Sequence, residues 1–371
     1  MKFLDHIAEL VRFKQLPRDQ RRVVFYSEGK AYWSHLRGMI EYWLGAYDVS
    51  LCYFSSDPQD PGLKLGHSRF QAFGTDSSWI RNWLFENVDT SLMVMTMPDL
   101  HQYQVKRSCH PVHYVYVHHS LVSMHMAYRP GAYDHFDTIF CAGPHHVLES
   151  REMENQRRSK KKNLVEHGYG RLDAIMQEYK QAQAPDYRRS GPVHVLLAPS
   201  WGTNGLIETM GKEVVDHLMG AGFKLTMRPH PHTVKAARRI IDRIAMEHGD
   251  NPGFVLELNV SGRDSLYQSD IMISDWSGAA LEYAFGLNKP VVYVDTPKKI
   301  NNPHYAELTP VPIEESIREK IGHIISPDSI PRLKDVIHAA LAKPKSNAVS
   351  IHDHVFNVGQ ADKKGAEALY S

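Results

Sequence analysis

A chain of 371 residues, 42% hydrophobic and 23% charged, has the composition of an ordinary globular protein and the length for two or three domains, each able to bury its own core. The formal net charge is +1, so no global field draws nucleic acid, and a phosphate-bearing ligand has to be held by local groups. Cys52, Cys109 and Cys141 are isolated, which argues against a disulfide framework or a thiolate zinc site; Met1 to Leu16 lacks a signal-peptide apolar run, and no window approaches the ~20 apolar residues of a membrane span, so a cytoplasmic setting is expected.

In chain order, Phe3, Ile7, Leu10 and Val11 recur at helical spacing with basic residues around them. This suits an amphipathic helix packed on its domain or one lying in a membrane interface. Strands are expected at Arg22–Tyr26, Val49–Phe54, Ser91–Thr96, Val112–His118 and Thr138–Cys141, with a helix running to Trp43 after the first. Strands separated by helical stretches imply βαβ units and a parallel sheet. Gln177 to Pro192 is polar, carries two prolines and reads as a linker.

The βα rhythm then restarts. Strands are expected at His194–Ala198, Phe223–Met227, Ile271–Ile273 and Pro290–Val294, and helices at Leu206–Met219, Val234–His248 and about Ser277 to Phe285. This gives an α/β protein of two domains, residues 1–185 and 186–371, with a cleft between them and the last ~25 residues free to pack back on the first domain.

In parallel α/β sheets ligands bind beyond the carboxyl ends of strands, where helix starts present free N–H groups to anions. Four such turns carry chemistry. Ala198 to Gly205 includes Ser200, Trp201 and Gly202, small enough in backbone to approach a phosphate, with an indole that covers a base or packs the turn. It is neither G-x-G-x-x-G nor a P-loop. Arg228-Pro229-His230-Pro231-His232 places a guanidinium and a proline-fixed histidine after a strand; the H-x-H pair lacks a nearby third metal ligand. Ser274-Asp275-Trp276-Ser277-Gly278 ends a short apolar strand and begins a helix, with Glu282 seven residues after Asp275. Ser277 can cap that helix, whose start attracts an anion. Val117-His118-His119-Ser120 ends a strand of the first half; adjacent strand residues point oppositely, so one of the two histidines faces the cleft and is suited to general-base work.

Read together, these motifs resemble the CDP-glycerol glycerophosphotransferases, the teichoic-acid and capsule polymerases. Ser269 to Asp295 is similar to that family's D-hydrophobic-hydrophobic-I-[ST]-D-Y-S-S segment, its acidic residue and its K-P-hydrophobic strand. His167-Gly168-Tyr169-Gly170-Arg171-Leu172-Asp173 resembles G-[YM]-P-R-x-D, Arg228 to Pro231 resembles [RK]-P-H-P, Ala198 to Trp201 resembles A-P-T-aromatic, and Val117 to Ser120 resembles W-H-G-T. The resemblance spans about residues 115 to 300, in order. It departs at Gly170, at His119-Ser120, at Glu282, and at Gly278, where the family has a second serine and a serine should therefore be tolerated.

The resemblance implies a GT-B fold, two Rossmann-like domains facing across a cleft. It implies transfer of a phosphoalditol from a CDP-linked donor to a hydroxyl of a glycan or lipid-linked acceptor, with release of CMP; no DxD-like acidic motif stands out, so neither metal nor cofactor is expected. Carried over, His118 is the base, Arg228, His230 and Ser277 hold the donor pyrophosphate with Gly278, and Asp275 and Glu282 shape the nucleotide site beside Ser200, Trp201, Gly202 and Ser274. A GT-B glycosyltransferase using a nucleotide sugar is the alternative. The basic run Arg157 to Lys162 suits either a solvated loop or peripheral contact with an anionic inner leaflet.

Overall fold

The computed structural model describes residues 3–75, 78–182, 191–259, 262–342 and 349–371. Among these the first sheet contains β1 Val23–Ser27, β2 Leu51–Ser55, β3 Phe70–Gly74, β4 Leu92–Met95, β5 His113–Val117, β6 Thr138–Cys141 and β7 Asn163–Glu166. Every pairing is parallel, in the order β3-β2-β1-β4-β5-β6-β7. The second sheet contains β8 His194–Leu197, β9 Lys224–Met227, β10 Phe254–Leu256, β11 Ile271–Ser274, β12 Val291–Val294 and β13 Gly322–Ile325. It too is parallel, in the order β10-β9-β8-β11-β12-β13. Each order reverses direction once, between β1 and β4 and between β8 and β11, as in doubly wound α/β domains.

The central strands are buried on both faces, which is why they read as unbroken apolar runs. On one face of the first sheet Tyr26, Phe54, Met95 and Tyr116 pack with Leu10 and Phe13; on the other Phe25, Tyr53, Val94 and Val117 pack with Leu36, Ile40 and Trp43. Alternate residues of β8, β11 and β12 divide likewise between the two faces of the second sheet. A further cluster joins the two halves: Leu121, Tyr169 and Leu172 pack with Leu281, Ile313 and Ile317.

Several boundaries differ from the sequence reading. The helix expected over Val234–His248 is two, Pro231–Ala236 and Arg238–His248, because Ala237 takes a non-helical conformation (φ −117°, ψ 30°). The first part of the expected linker belongs to the helix Gly170–Ala182, and residues 183–190 lie outside the described residues. The amino-terminal helix Phe3–Gln15 seats Phe13 between Phe54 and Phe73, with centroids 5.1 and 5.6 Å away, and leaves Ile7 and Val11 exposed.

The carboxy-terminal segment runs along the first half. Phe356 N–H donates to Ala142 O at 2.9 Å, and a Cβ at Gly168 (φ +99°) would collide with Phe356 O, so this crossing needs glycine. Asp173 accepts from Gly359 N (2.7 Å) and Ala361 N (2.9 Å), capping the last helix, Ala361–Tyr370. Tyr370 then stacks on Tyr47 at 4.1 Å. The basic run forms the turn before β7, at the end of the sheet opposite the carboxyl ends. Its Arg157 bonds Asp134 (2.8 Å) and its Lys162 is buried 4.0 Å from Glu154. No described helix is long and apolar enough to cross a membrane.

Candidate active site

The carboxyl ends of β8 and β11 flank the reversal point of the second sheet, and the turns that leave them are tied together. Asp275 is 1% exposed, and its carboxylate accepts Ser200 N (2.6 Å) on one oxygen and Leu206 N (3.0 Å) on the other. Ser274 Oγ donates to Ala198 O at 2.9 Å. Ser274, Asp275 and the Ser200 backbone therefore frame the turn through hydrogen bonds to one another and to Ala198 and Leu206. Gly202 holds φ +129° in open space, so its backbone conformation is what calls for glycine.

Beyond this frame lies a cationic, aromatic cradle. The half-buried Trp201 ring lies 4.4 Å from the His232 ring and 5.8 Å from the His230 ring, with Lys299 Nζ 4.0 Å from its centroid. His230 caps the helix Pro231–Ala236 by accepting His232 N at Nδ1 (3.1 Å). An accepting Nδ1 leaves the proton of the neutral ring on Nε2, a donor for an anion. Burial, then Lys299 and His232, lowers the His230 pKa to about 3, so the ring is neutral at physiological pH. Burial lowers that of Lys299 to about 8, with Asp275, Glu208 and Glu314 opposing. No described carboxylate lies within salt-bridge distance of Lys299. Sequence reasoning passed over it, since Lys298-Lys299 looks like surface charge; its position after β12 was the available signal.

Ser277 caps the helix Gly278–Leu287, its Oγ accepting Ala279 N at 3.3 Å, and remains half-exposed. Arg228, expected at the pyrophosphate, is 8% exposed and turned aside: Nη1 donates to Ser265 Oγ (3.1 Å) and lies 3.6 Å from Glu257. Its guanidinium holds the segment that follows β10 at the edge of the second sheet.

On the first-domain side, His118 points into the core. It is 2% exposed, stacked 3.7 Å from the His146 ring at 17°, and neither ring nitrogen has a hydrogen-bond partner; burial holds its pKa well below the usual histidine range. The cleft-side ring is His119. Its Nδ1 lies 2.9 Å from Thr96 O, and a carbonyl only accepts, so Nδ1 carries the proton and Nε2 keeps its lone pair, 3.4 Å from Tyr128 OH. Burial lowers the His119 pKa to about 4, opposed by the Thr96 bond and by Glu282.

The two halves meet tightly here. Glu282, expected in the nucleotide site, is engaged inside the protein: it accepts Tyr169 OH (2.7 Å) and Arg171 Nε (3.0 Å), and Arg171 Nη1 reaches Ser34 Oγ at 2.9 Å. The Tyr169 hydroxyl also lies 3.0 Å from His119 O; it has one proton, which the carboxylate takes. Ser123 N and Oγ bind Glu314 at 2.8 and 2.7 Å.

Ser120 Oγ abuts Gly278. A Cβ on Gly278 would collide with that oxygen and lie 3.3 Å from Val122 Cγ1, so a serine is not freely accommodated there. Gly278→Ser is expected to destabilise the protein by about 1–3 kcal/mol through overpacking, and Ser120→Gly in the same chain to restore it. Thermal melts of the two single variants and the double variant check this; additive effects would show that the two positions do not compete for space.

Among the described residues one group of metal-capable side chains lies close together, Asp216, Glu247 and His248, with ligand atoms within 4.8 Å. It is already bridged by Lys212, at 2.7 Å from Asp216 and 2.6 Å from Glu247.

The sequence model of CDP-glycerol:poly(glycerophosphate) glycerophosphotransferases matches residues 93–299, more than half of the chain. No curated protein matches the sequence. Among solved structures, the wall teichoic acid polymerase TagF is similar at 13% identity over 100% of this chain and 98% of that one, with a TM-score of 0.57. The UDP-GlcNAc 2-epimerase of Methanocaldococcus jannaschii is similar at 12% identity over 94% and 99%, with a TM-score of 0.58. That of Neisseria meningitidis, bound to UDP-GlcNAc, is similar at 12% over 94% and 98%, with a TM-score of 0.57. At such identities the likeness is one of fold: two Rossmann-like domains in the GT-B arrangement.

Proposed function

The chain belongs to the CDP-glycerol:poly(glycerophosphate) glycerophosphotransferase family, and from that membership we propose that it transfers a phosphoalditol from a CDP-linked donor to an acceptor hydroxyl, releasing CMP. The observation that carries the proposal is the cradle of the second domain. An ammonium group with no described carboxylate partner, Lys299, lies over the Trp201 ring, which also packs near His230, and the helix capped by Ser277 starts at the carboxyl end of β11 in the same sheet. These groups suit a nucleoside diphosphate: an aromatic face, a cation, a neutral N–H donor and helix-end N–H groups.

In this reading the donor occupies the second domain, residues 186–371, and the acceptor the first, residues 1–185. The acceptor hydroxyl gives its proton to His119 Nε2 as its oxygen attacks the β-phosphorus. The new O–P bond forms as the bond from that phosphorus to the CMP oxygen breaks, and CMP leaves with the electron pair. Lys299 and the helix start at Ser277 offset the charge on the departing phosphate, and His230 donates to the phosphoryl oxygens. The Thr96 carbonyl keeps the His119 tautomer correct throughout. His119 replaces His118 in this role because a base must reach the proton it takes, and the His118 ring is enclosed by His146, Tyr116 and Tyr133.

The test is incubation with CDP-glycerol, CDP-ribitol and a panel of UDP-linked sugars. CMP release from a CDP-alditol is expected. UDP release from a nucleotide sugar, with CDP-alditols untouched, would overturn the proposal in favour of a glycosyltransferase.

A further inference from the structure

The second sheet's reversal point carries the cradle; the first sheet has a reversal point of its own, between β1 and β4, from which the mechanism uses only the Thr96 carbonyl. A crevice outside the carboxyl ends of strands at such a point is where doubly wound domains bind ligands. Glu28 follows β1 directly. Its turn is held by Ser27 Oγ, which donates to Gly29 O (3.0 Å) and accepts Gly29 N (3.2 Å). Gly29 stands at φ +151°, where a Cβ would press on Asp57.

On the other side, Thr96 follows β4. It is 0% exposed, its Oγ1 has no hydrogen-bond partner, and its carbonyl orients His119. Asp99, three residues on, holds the unusual φ of 63° and has a buried Oδ1 without a partner, while Oδ2 lies 3.9 Å from Arg129. The Tyr32 ring, 5.5 Å from the His119 ring, connects this crevice to the reacting centre.

We infer that the crevice between Glu28 and Thr96–Asp99 binds the uncharged, hydroxyl-rich end of the acceptor and presents its hydroxyl to His119. The inference rests on the transferase reading of the same cleft. Its chemistry is that of a polyol site. Carboxyl groups and a threonine hydroxyl accept and donate to vicinal hydroxyls, and tyrosine faces cover the C–H sides. The carboxyls of Glu28 and Asp99 offset the guanidiniums of Arg81 and Arg129, leaving no net positive charge to hold a phosphate at this position.

The charged groups around Glu28 are Arg81 from the helix Ser78–Asn87 and Asp99 from the β4 turn, with the phenols of Tyr26, Tyr32, Tyr116 and Tyr128. Burial and Asp99 raise the Glu28 pKa to about 7 against Arg81, so its carboxylate, the stronger acceptor, forms as pH rises through that value.

The test compares ribitol with ribitol 5-phosphate by ligand-observed NMR on the CDP-bound protein, for wild type, Glu28→Gln and Thr96→Val. Ribitol is expected to bind more tightly than its phosphate, to gain affinity from pH 6 to pH 8, and to lose about tenfold in Glu28→Gln with the pH dependence abolished. CDP affinity, by calorimetry, should be unchanged in both variants, which also shows that they are folded. Preference for the phosphorylated probe would overturn the inference, as would ribitol affinity unaltered in both variants. Because binding is read without turnover, absence of CMP release would count against the transferase reading and leave this result to stand by itself.

Discussion

Replacing His119 with alanine is expected to lower transfer by about 10²–10⁴-fold at saturating donor while leaving CDP affinity unchanged. The ring is the cleft-side histidine of the pair. Its Nδ1 proton is fixed by Thr96 O, and its Nε2 lone pair is opposed only by a long 3.4 Å contact to Tyr128 OH. His118→Ala is expected to act differently. Removing a ring stacked at 3.7 Å on His146 opens a cavity in the first-domain core, so its melting temperature falls before its chemistry does.

The pH profile gives a second readout. With the His119 pKa lowered to about 4, the base is free across neutral pH, and activity should fall only as pH drops toward that value. With the Lys299 pKa lowered to about 8, the cation proposed to hold the donor is lost above it. A broad plateau between these limits is expected. Full activity in His119→Ala together with collapse in a natively melting His118→Ala would return the role to His118.

Lys299→Met is expected to weaken CDP binding by about 10- to 100-fold, the range for losing a charge-assisted hydrogen bond, and at the same time to raise the melting temperature near neutral pH. The sign of the second effect follows from linkage. Lys299 has a folded pKa of about 8, below the ordinary lysine value, so the unfolded chain binds this proton more tightly than the native state. Folding is thus penalised below pH 8, where the group is charged in both states. The penalty fades as pH rises from there toward the ordinary lysine pKa. Removing the ammonium removes the penalty. Opposite movements of affinity and stability separate loss of a ligand contact from general damage. Arg228→Ala is the control: Arg228 bonds Ser265 and lies 3.6 Å from Glu257, so stability should fall with it. Calorimetry with CDP and thermal melts of both variants decide the matter; unchanged CDP affinity in Lys299→Met would remove the nucleotide from this cradle.

The sequence by itself determined the α/β class, the central strands and the strand-to-helix turns, because each depends on neighbours within a few residues. β1, β2, β5, β6, β8, β11 and β12 are buried on both faces and so stand out as apolar runs. The strands it missed, β3, β7, β10 and β13, are the four sheet edges, half-exposed and without such runs. Ser277 as a helix cap was legible for the same local reason.

Only the tertiary structure decided what each side chain does. Strand alternation said that one of His118 and His119 faces the cleft; the packing of His146 against His118 chose which. Asp275 and Glu282 looked like ligand-facing acids until backbone N–H groups from residues 200 and 206, and the side chains of Tyr169 and Arg171, were found to occupy them. Gly278 looked like a missing hydroxyl until Ser120, from the other domain, was seen to fill its place. Lys299 is placed by its contact with Trp201, nearly a hundred residues earlier. A polar group binds whatever partner the fold brings within hydrogen-bond reach, and when that partner is distant in the chain the local pattern of residues carries no record of it.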